Sequence, residues 1–227
     1  MTIGEIKTAP PRGLPHRPIS YEEYVEWADE NIHAEWVDGE IVVHMPPFEI
    51  HQTLLSFVHR LLAEYVEFEH LGRVLIAPFE MRLLSQKSAR QPDILVVTSE
   101  NLRRLSQERL EGPADLVVEL VSQDSVRRDR QEKFREYQEA GVREYWVIDS
   151  RPGRNRADFY RLDEHGQYAL VGTEDDEWVG SIVLPGFRLR PSWLWLDDKP
   201  SVRLAFFESL SPEQRERYRQ SLFGFDA

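Results

Sequence analysis

Residues 114–121 read Ala-Asp-Leu-Val-Val-Glu-Leu-Val, a run apolar enough to lie inside a sheet. Strand alternation puts Glu119 on one face with Asp115, Val117 and Val121. A carboxylate buried there is expensive unless a metal, a cation or hydrogen bonds meet it. The segment therefore demands a central strand and a partner for its acid, either in a structural ion pair or in a functional site.

The neighbouring segments can be placed around that strand. The first eighteen residues are rich in proline without apolar periodicity and read as a flexible arm. A short helix is expected behind Ser20, with Glu22 and Glu23 near its positive end, running to about Asp29. Asp38-Gly39, between the apolar-rich runs Glu35–Val37 and Glu40–Val43, signals a hairpin. Leu54, Leu55, Val58, Leu61, Leu62 and Tyr65 recur at helical spacing, which predicts a helix from about Ile50 to His70, stopped by Gly72. Arg73 to Leu84 and Pro92 to Val97 read as strands, and Ser99 to Leu110 as a short polar helix. Behind Ala114 to Val121, a helix is expected from Ser125 to Ala140, capped by Ser122 and Asp124-Ser125 and closed by Gly141. A strand from Glu144 to Ile148 follows, giving the order helix, strand, strand, strand, helix, strand. Beyond it, Asp158 to Leu162, Tyr168 to Val171 and Ile182 to Leu189 suggest a meander that extends the sheet. Pro200 introduces a helical tail, Val202 to Phe225, whose aromatics Phe206, Phe207, Tyr218 and Phe223 are expected to pack on the body or on a second copy. The expected division is an arm at 1–18, a main domain at 19–196 and a helical extension at 197–227.

Composition narrows the chemistry. The chain has no cysteine, so disulfides, zinc-thiolate sites and cysteine nucleophiles are excluded. Any metal must rest on carboxylates, histidines or carbonyls, which favours a hard ion such as Mg or Mn. With 28 basic against 40 acidic residues and a net charge of −12, non-specific electrostatic capture of nucleic acid is disfavoured. The cluster Arg127, Arg128, Arg130, Lys133 and Arg135 offers a local basic patch against that balance. Neither an apolar run of membrane-spanning length nor the apolar core of a secretory signal is evident, so a soluble, cytoplasmic chain is expected.

Asp93 opens the strand before the central one. If the two strands pair antiparallel about the connection between them, residues whose numbers add to about 212 face one another. Asp93 then stands opposite Glu119. On the following helix, with Val126 at zero and about 100° per residue, Tyr137 falls near 20°, Lys133 near −20° and Arg130 near 40°. A cation on that inward face needs an anion, and Glu119 lies on the strand feeding the helix. Lys133 snorkelling to solvent is the bland alternative. His51, opening the first long helix with Gln52, is the histidine placed best to face a site, though a polar residue at a helix start needs no further role.

Four segments, Gln91-Pro92-Asp93-Ile94-Leu95-Val96-Val97, Asp115 to Ser122, Lys133-Phe134-x-x-Tyr137 and Gly141 to Asp149, together resemble the Uma2 family over roughly residues 20 to 190. The resemblance implies an α/β, restriction-endonuclease-like αβββαβ core with a mixed sheet, here with an N-terminal hairpin, a C-terminal strand meander and a helical tail. It implies a PD-(D/E)XK centre with one departure: the lysine expected two residues after the second acid is Val121. By the resemblance Lys133 takes over that role, and Glu35 is the matching N-terminal acid, an extra metal ligand or ligand holder. The expected function is a metal-dependent nuclease. Asp93, Glu119, the Leu120 carbonyl and Glu35 would bind Mg or Mn, and Lys133 would act on the scissile phosphate, with DNA as substrate by family analogy. A homodimer is a further expected partner. The alternative is a catalytically inactive scaffold in which Glu119 and Lys133 form a buried ion pair, favoured by the acidic charge and the missing in-strand lysine.

Overall fold

The computed structural model describes residues 13–28, 33–44, 48–123, 125–149, 151 and 153–223, the side chain of Phe223 excepted. The expectations for residues 1–12, Asp29, Asp124, Phe223 and Phe225 lie outside the described residues.

Helix α1, Tyr21–Trp27, starts where expected because Ser20 and Glu23 form a reciprocal capping box. Strands β1, Ala34–Val37, and β2, Glu40–Val43, close a two-residue hairpin in which Asp38 and Gly39 both take positive φ, at 45° and 92°. Helix α2, Glu49–Phe68, buries the stripe Leu54, Val58, Leu61, Leu62 and Tyr65. Gly72 does not itself end this helix. It opens strand β3, Gly72–Ile76, at φ 149°, where a Cβ would stand 2.0 Å from the Val97 carbonyl oxygen, so only glycine permits the close approach of the two strands.

The single strand expected from Arg73 to Leu84 is two. Pro78, which offers no amide to a ladder, breaks it between β3 and β4, Glu80–Leu83, and the two halves join different sheets. Strand β5, Ser88–Arg90, leads into β6, Ile94–Thr98. The expected polar helix covers only a 3₁₀ segment, Ser99–Arg104. The Ser106 hydroxyl then accepts the Glu108 and Arg109 amides and turns the chain into β7, Arg109–Glu111. Strand β8, Leu116–Leu120, is buried along its whole length. The next segment is already helical at Val126 and Arg127, passes through a π turn, Arg128–Glu132, and continues as α3, Lys133–Ala140, capped by Gly141. Strands β9, Glu144–Asp149, β10, Arg156–Leu162, and β11, Tyr168–Thr173, form the expected meander. The run Ile182 to Leu189 forms a strand only in its last two residues. Its buried apolar residues Val183, Leu184 and Phe187 sit on a turn at Pro185-Gly186, and only β12, Val179–Gly180, and β13, Arg188–Leu189, pair across it. Helices α4, Val202–Ser209, and α5, Pro212–Phe223, complete the chain.

A six-stranded mixed sheet, ordered β11-β10-β9-β8-β6-β3, carries the αβββαβ core, and a five-stranded sheet, β2-β1-β5-β4-β7, stands against it. The β6/β8 register is the expected one, with Ile94 opposite Val118, Leu95 opposite Val117 and Val96 opposite Leu116. Strands β8 and β9 run parallel. Alternation divides the six-stranded sheet. Ile94, Val96, Leu116, Val118 and Leu120 pack with α2 and α4, whereas Leu95, Val97, Val117 and Val121 pack with Tyr137 of α3 and with Met81 and Leu83 of the second sheet. No described helix is long and apolar enough to cross a membrane.

The tail packs on the body. Phe206 is fully buried and meets Tyr65, Phe68 and Tyr218 edge-on, at ring separations of 6.4, 5.6 and 4.9 Å. Phe206→Ala is expected to lower the unfolding free energy by about 3–5 kcal/mol in urea titration, the usual loss for a fully enclosed aromatic. An unchanged midpoint would show that the tail does not contribute to the core.

Candidate active site

The register that pairs Ile94 with Val118, continued by one residue, sets Asp93 opposite Glu119 on the face covered by α3. The turn is held in place because Asp93 Oδ2 accepts the Leu120 amide at 2.7 Å. The His51 imidazole from the start of α2 comes alongside, with Nε2 3.6 Å from Asp93 Oδ1 and the Leu120 carbonyl next to it. Burial works against a charged His51, but Asp93 outweighs it and lifts the imidazole pKa above its ordinary value.

Lys133 reaches this face from the first turn of α3, as its helical position requires, and is only 2% exposed. Its ammonium lies 2.8 Å from Glu119 Oε1, 3.1 Å from Glu35 Oε1 and 3.8 Å from Asp129 Oδ1. Snorkelling is therefore excluded. Tyr137, one turn further along, donates to the same Glu119 oxygen at 2.9 Å. Glu35 projects from β1 in the other sheet and is fully buried. Its Oε1 also accepts the Gln91 amide at 3.0 Å, and its Oε2 meets Arg90 Nη1 at 3.1 Å and His44 Nε2 at 3.5 Å. Arg90 turns its remaining nitrogens on Glu136 of α3, at 2.9 and 2.5 Å.

All five residues expected at the site, Asp93, Glu119, Leu120, Lys133 and Glu35, thus lie in one connected region, with His51 at its margin. Arg90, Asp129 and Glu136 belong to it too and were not foreseen. Asp129 had a signal, since it precedes Lys133 by one turn on the inward face. Arg90 had none, because the three-residue strand that buries it is too short to display alternation. The expected basic patch is not a single surface: Lys133 is buried, Arg130 is paired with Asp158, and among the five only Arg127 and Arg135 are exposed.

The charges are unbalanced. Burial opposes the Glu35 charge, but Lys133, His44 and Arg90 prevail and hold its carboxyl well below the usual range. Burial pushes Glu119 up to about 8. Lys133 opposes that rise, and the charges of Asp129, Asp93 and Glu35 add to it. Burial raises Asp129 as well, against Lys133 and the Ser125 hydroxyl.

A mixed sheet flanked by α2 and α3, with acids at the facing ends of two central strands and a helix-borne lysine against the second of them, fits a restriction-endonuclease-like fold. The chain belongs to the Uma2 family, described as "Putative restriction endonuclease", which matches residues 21–192. It is also similar to the crystal structure of a "putative nuclease belonging to DUF820" from Anabaena variabilis ATCC 29413. That likeness has a TM-score of 0.65 at 16% identity and covers 78% of this chain and 98% of that one. At that identity the likeness speaks for the fold. A search among curated proteins finds no match.

The raised Glu119 carboxyl gives a signed prediction. The unfolded chain releases this proton near 4.5 and the folded chain keeps it to about 8, so raising the pH between those values favours unfolding. Relative to Glu119→Gln, the metal-free wild type should lose stability across that window in urea titrations at stepped pH. A difference that stays flat, or that grows in favour of the wild type, would show that Glu119 is ionised throughout.

Proposed function

We propose that this chain is a cytoplasmic, Mg- or Mn-dependent nuclease that hydrolyses phosphodiester bonds in DNA, with Asp93, Glu119 and Lys133 as its catalytic residues. The observation that carries the reading is an excess of buried acid at one point. Glu35, Glu119 and Asp129 surround Lys133, and Asp93 stands opposite Glu119, held by the Leu120 amide and with His51 beside it. A hard divalent cation suits such oxygen donors. Among the described residues no three His, Cys, Asp or Glu side chains form a ready cage. The proposed ligands are accordingly two carboxylates, Asp93 and Glu119, and the Leu120 carbonyl, with water completing the set.

When bound, the cation would polarise the scissile phosphate and lower the pKa of a water. The chain's own groups do the rest. Lys133 faces the charge that develops on the phosphoryl oxygens. Tyr137 orients Glu119, and the Leu120 amide and His51 orient Asp93. Glu35 could serve as a further ligand, but its contacts to Lys133, Arg90, His44 and the Gln91 amide fit a residue that holds Lys133 in place. A chain with one such centre cuts one strand at a time, so a second copy of the chain is the proposed partner for duplex cleavage.

The second reading is a nuclease-like scaffold without activity. It is favoured by the 2.8 Å Lys133–Glu119 contact, which a purely structural ion pair would also make, and by the net charge of −12. A Mg- and Mn-dependent cleavage assay over single- and double-stranded DNA and RNA, run beside Asp93→Asn, tests the proposal. Lys133→Ala separates the readings. For a nuclease, cleavage should fall roughly a hundredfold or more while Mn binding persists. For a scaffold, the parent should itself be inactive, and a stability loss of about 3–5 kcal/mol, recovered when Glu119→Leu is added, should be the only effect of the substitution.

A further inference from the structure

Lys133 is only 2% exposed, and an ammonium has three protons to donate. One is donated to Glu119 Oε1 at 2.8 Å, and Glu35 Oε1 forms an ion pair with the ammonium at 3.1 Å. The third anion, Asp129, is 2% exposed yet stands at 3.8 Å, just beyond hydrogen-bond reach. It is held by its backbone: the amide donates to the Ser125 carbonyl at 2.8 Å, and the carbonyl accepts the Tyr145 hydroxyl at 2.8 Å. It belongs to the π turn Arg128–Glu132, in which the Lys133 amide bonds back to the Arg128 carbonyl. Such turns are rare and concentrate where a side chain must be presented at a site.

A cation engaged by Glu119 deprives Lys133 of its shortest partner, and a buried ammonium without one is strongly disfavoured. Glu35 cannot compensate by moving, because both its oxygens are committed to Arg90, His44 and the Gln91 amide as well. Asp129 stands 3.8 Å from Lys133 and has fewer ties, since the Ser125 hydroxyl and the charge of neighbouring Arg128 are the other influences that favour its ionised form.

We infer that Asp129 is a positioning residue, the second anchor of Lys133, which keeps the ammonium buried and aimed at the reacting phosphate once Glu119 is engaged elsewhere. The inference deepens the nuclease reading and rests on it for its catalytic half.

The experiment has two arms. In the metal-free protein, melting temperatures of Glu119→Gln, Asp129→Asn and the double variant form a cycle independent of any activity. Either single change leaves Lys133 two carboxylates, but the double leaves only Glu35. The double should therefore fall about 3 °C or more beyond the sum of the singles. In the active protein, Asp129→Asn should lower kcat about tenfold while the calorimetric Mg affinity stays within about twofold, and Asp129→Glu should recover most of the rate. Additive melting temperatures would overturn the inference. So would a Mg affinity that falls in step with kcat, which would make Asp129 a ligand instead. A parent that cleaves nothing would sink the nuclease reading alone, and the cycle would still decide whether Asp129 anchors Lys133.

Discussion

One ammonium group joins three parts of this molecule. Lys133 belongs to α3, Glu119 to the six-stranded sheet and Glu35 to the five-stranded sheet, and the three meet in a volume from which solvent is excluded. Removing the cation would leave carboxylates of two different sheets buried and facing one another. Arg90 closes the circuit by tying Glu35 to Glu136, so α3 is fastened to the second sheet at two points one turn apart. The hairpin at Asp38-Gly39 matters to the site for this reason, since it delivers the strand that carries Glu35.

The two faces of the main sheet have different tasks. Towards α2, the contact is made mainly of apolar strand residues and the tail helices add more of the same, while buried Glu144 accepts the Ser181 hydroxyl and the Ile182 amide and Tyr65 donates to the Pro185 carbonyl. Towards α3, the apolar rows are interrupted at the strand ends by Asp93 and Glu119. Tyr137 and Tyr145, ring against ring at 5.2 Å, form the boundary, one hydroxyl donating to Glu119 and the other to the Asp129 carbonyl. The polar site is thereby attached to a dry core without leaving those hydroxyls unpaired.

Much of this was legible because it depends on periodicity. The hairpin, α2, β8 and the inward position of Lys133 follow from spacings of two or of three to four residues, and the Asp93–Glu119 pairing follows from a register set by the connection between two strands. What escaped were features in which local pattern and tertiary role diverge. Apolar residues at 182–189 read as a strand, yet they are buried from a turn. Arg73 to Leu84 reads as one extended run, yet it serves two sheets. Arg90 looked like any strand-end arginine, because its two acidic partners lie 55 and 46 residues away along the chain.

The count of charges bears on which reading of the site is better founded. Lys133 and Arg90 are two cations, and the acids they touch, Glu35, Glu119, Asp129 and Glu136, are four. A structural ion network gains most when its charges balance, and even then well-packed apolar residues often do as well. Here the surplus is carried by Glu119 and Asp129, whose carboxyls are pushed upward, and not by Glu35, which both cations secure. The unfavourable charge is thus gathered on Glu119 and Asp129 and not on Glu35. Such a division costs stability in the metal-free chain and gains nothing for the scaffold. A divalent cation at that spot would supply the missing positive charge and leave the Glu35–Lys133–Arg90 joint intact, which is the physical reason for preferring the nuclease reading.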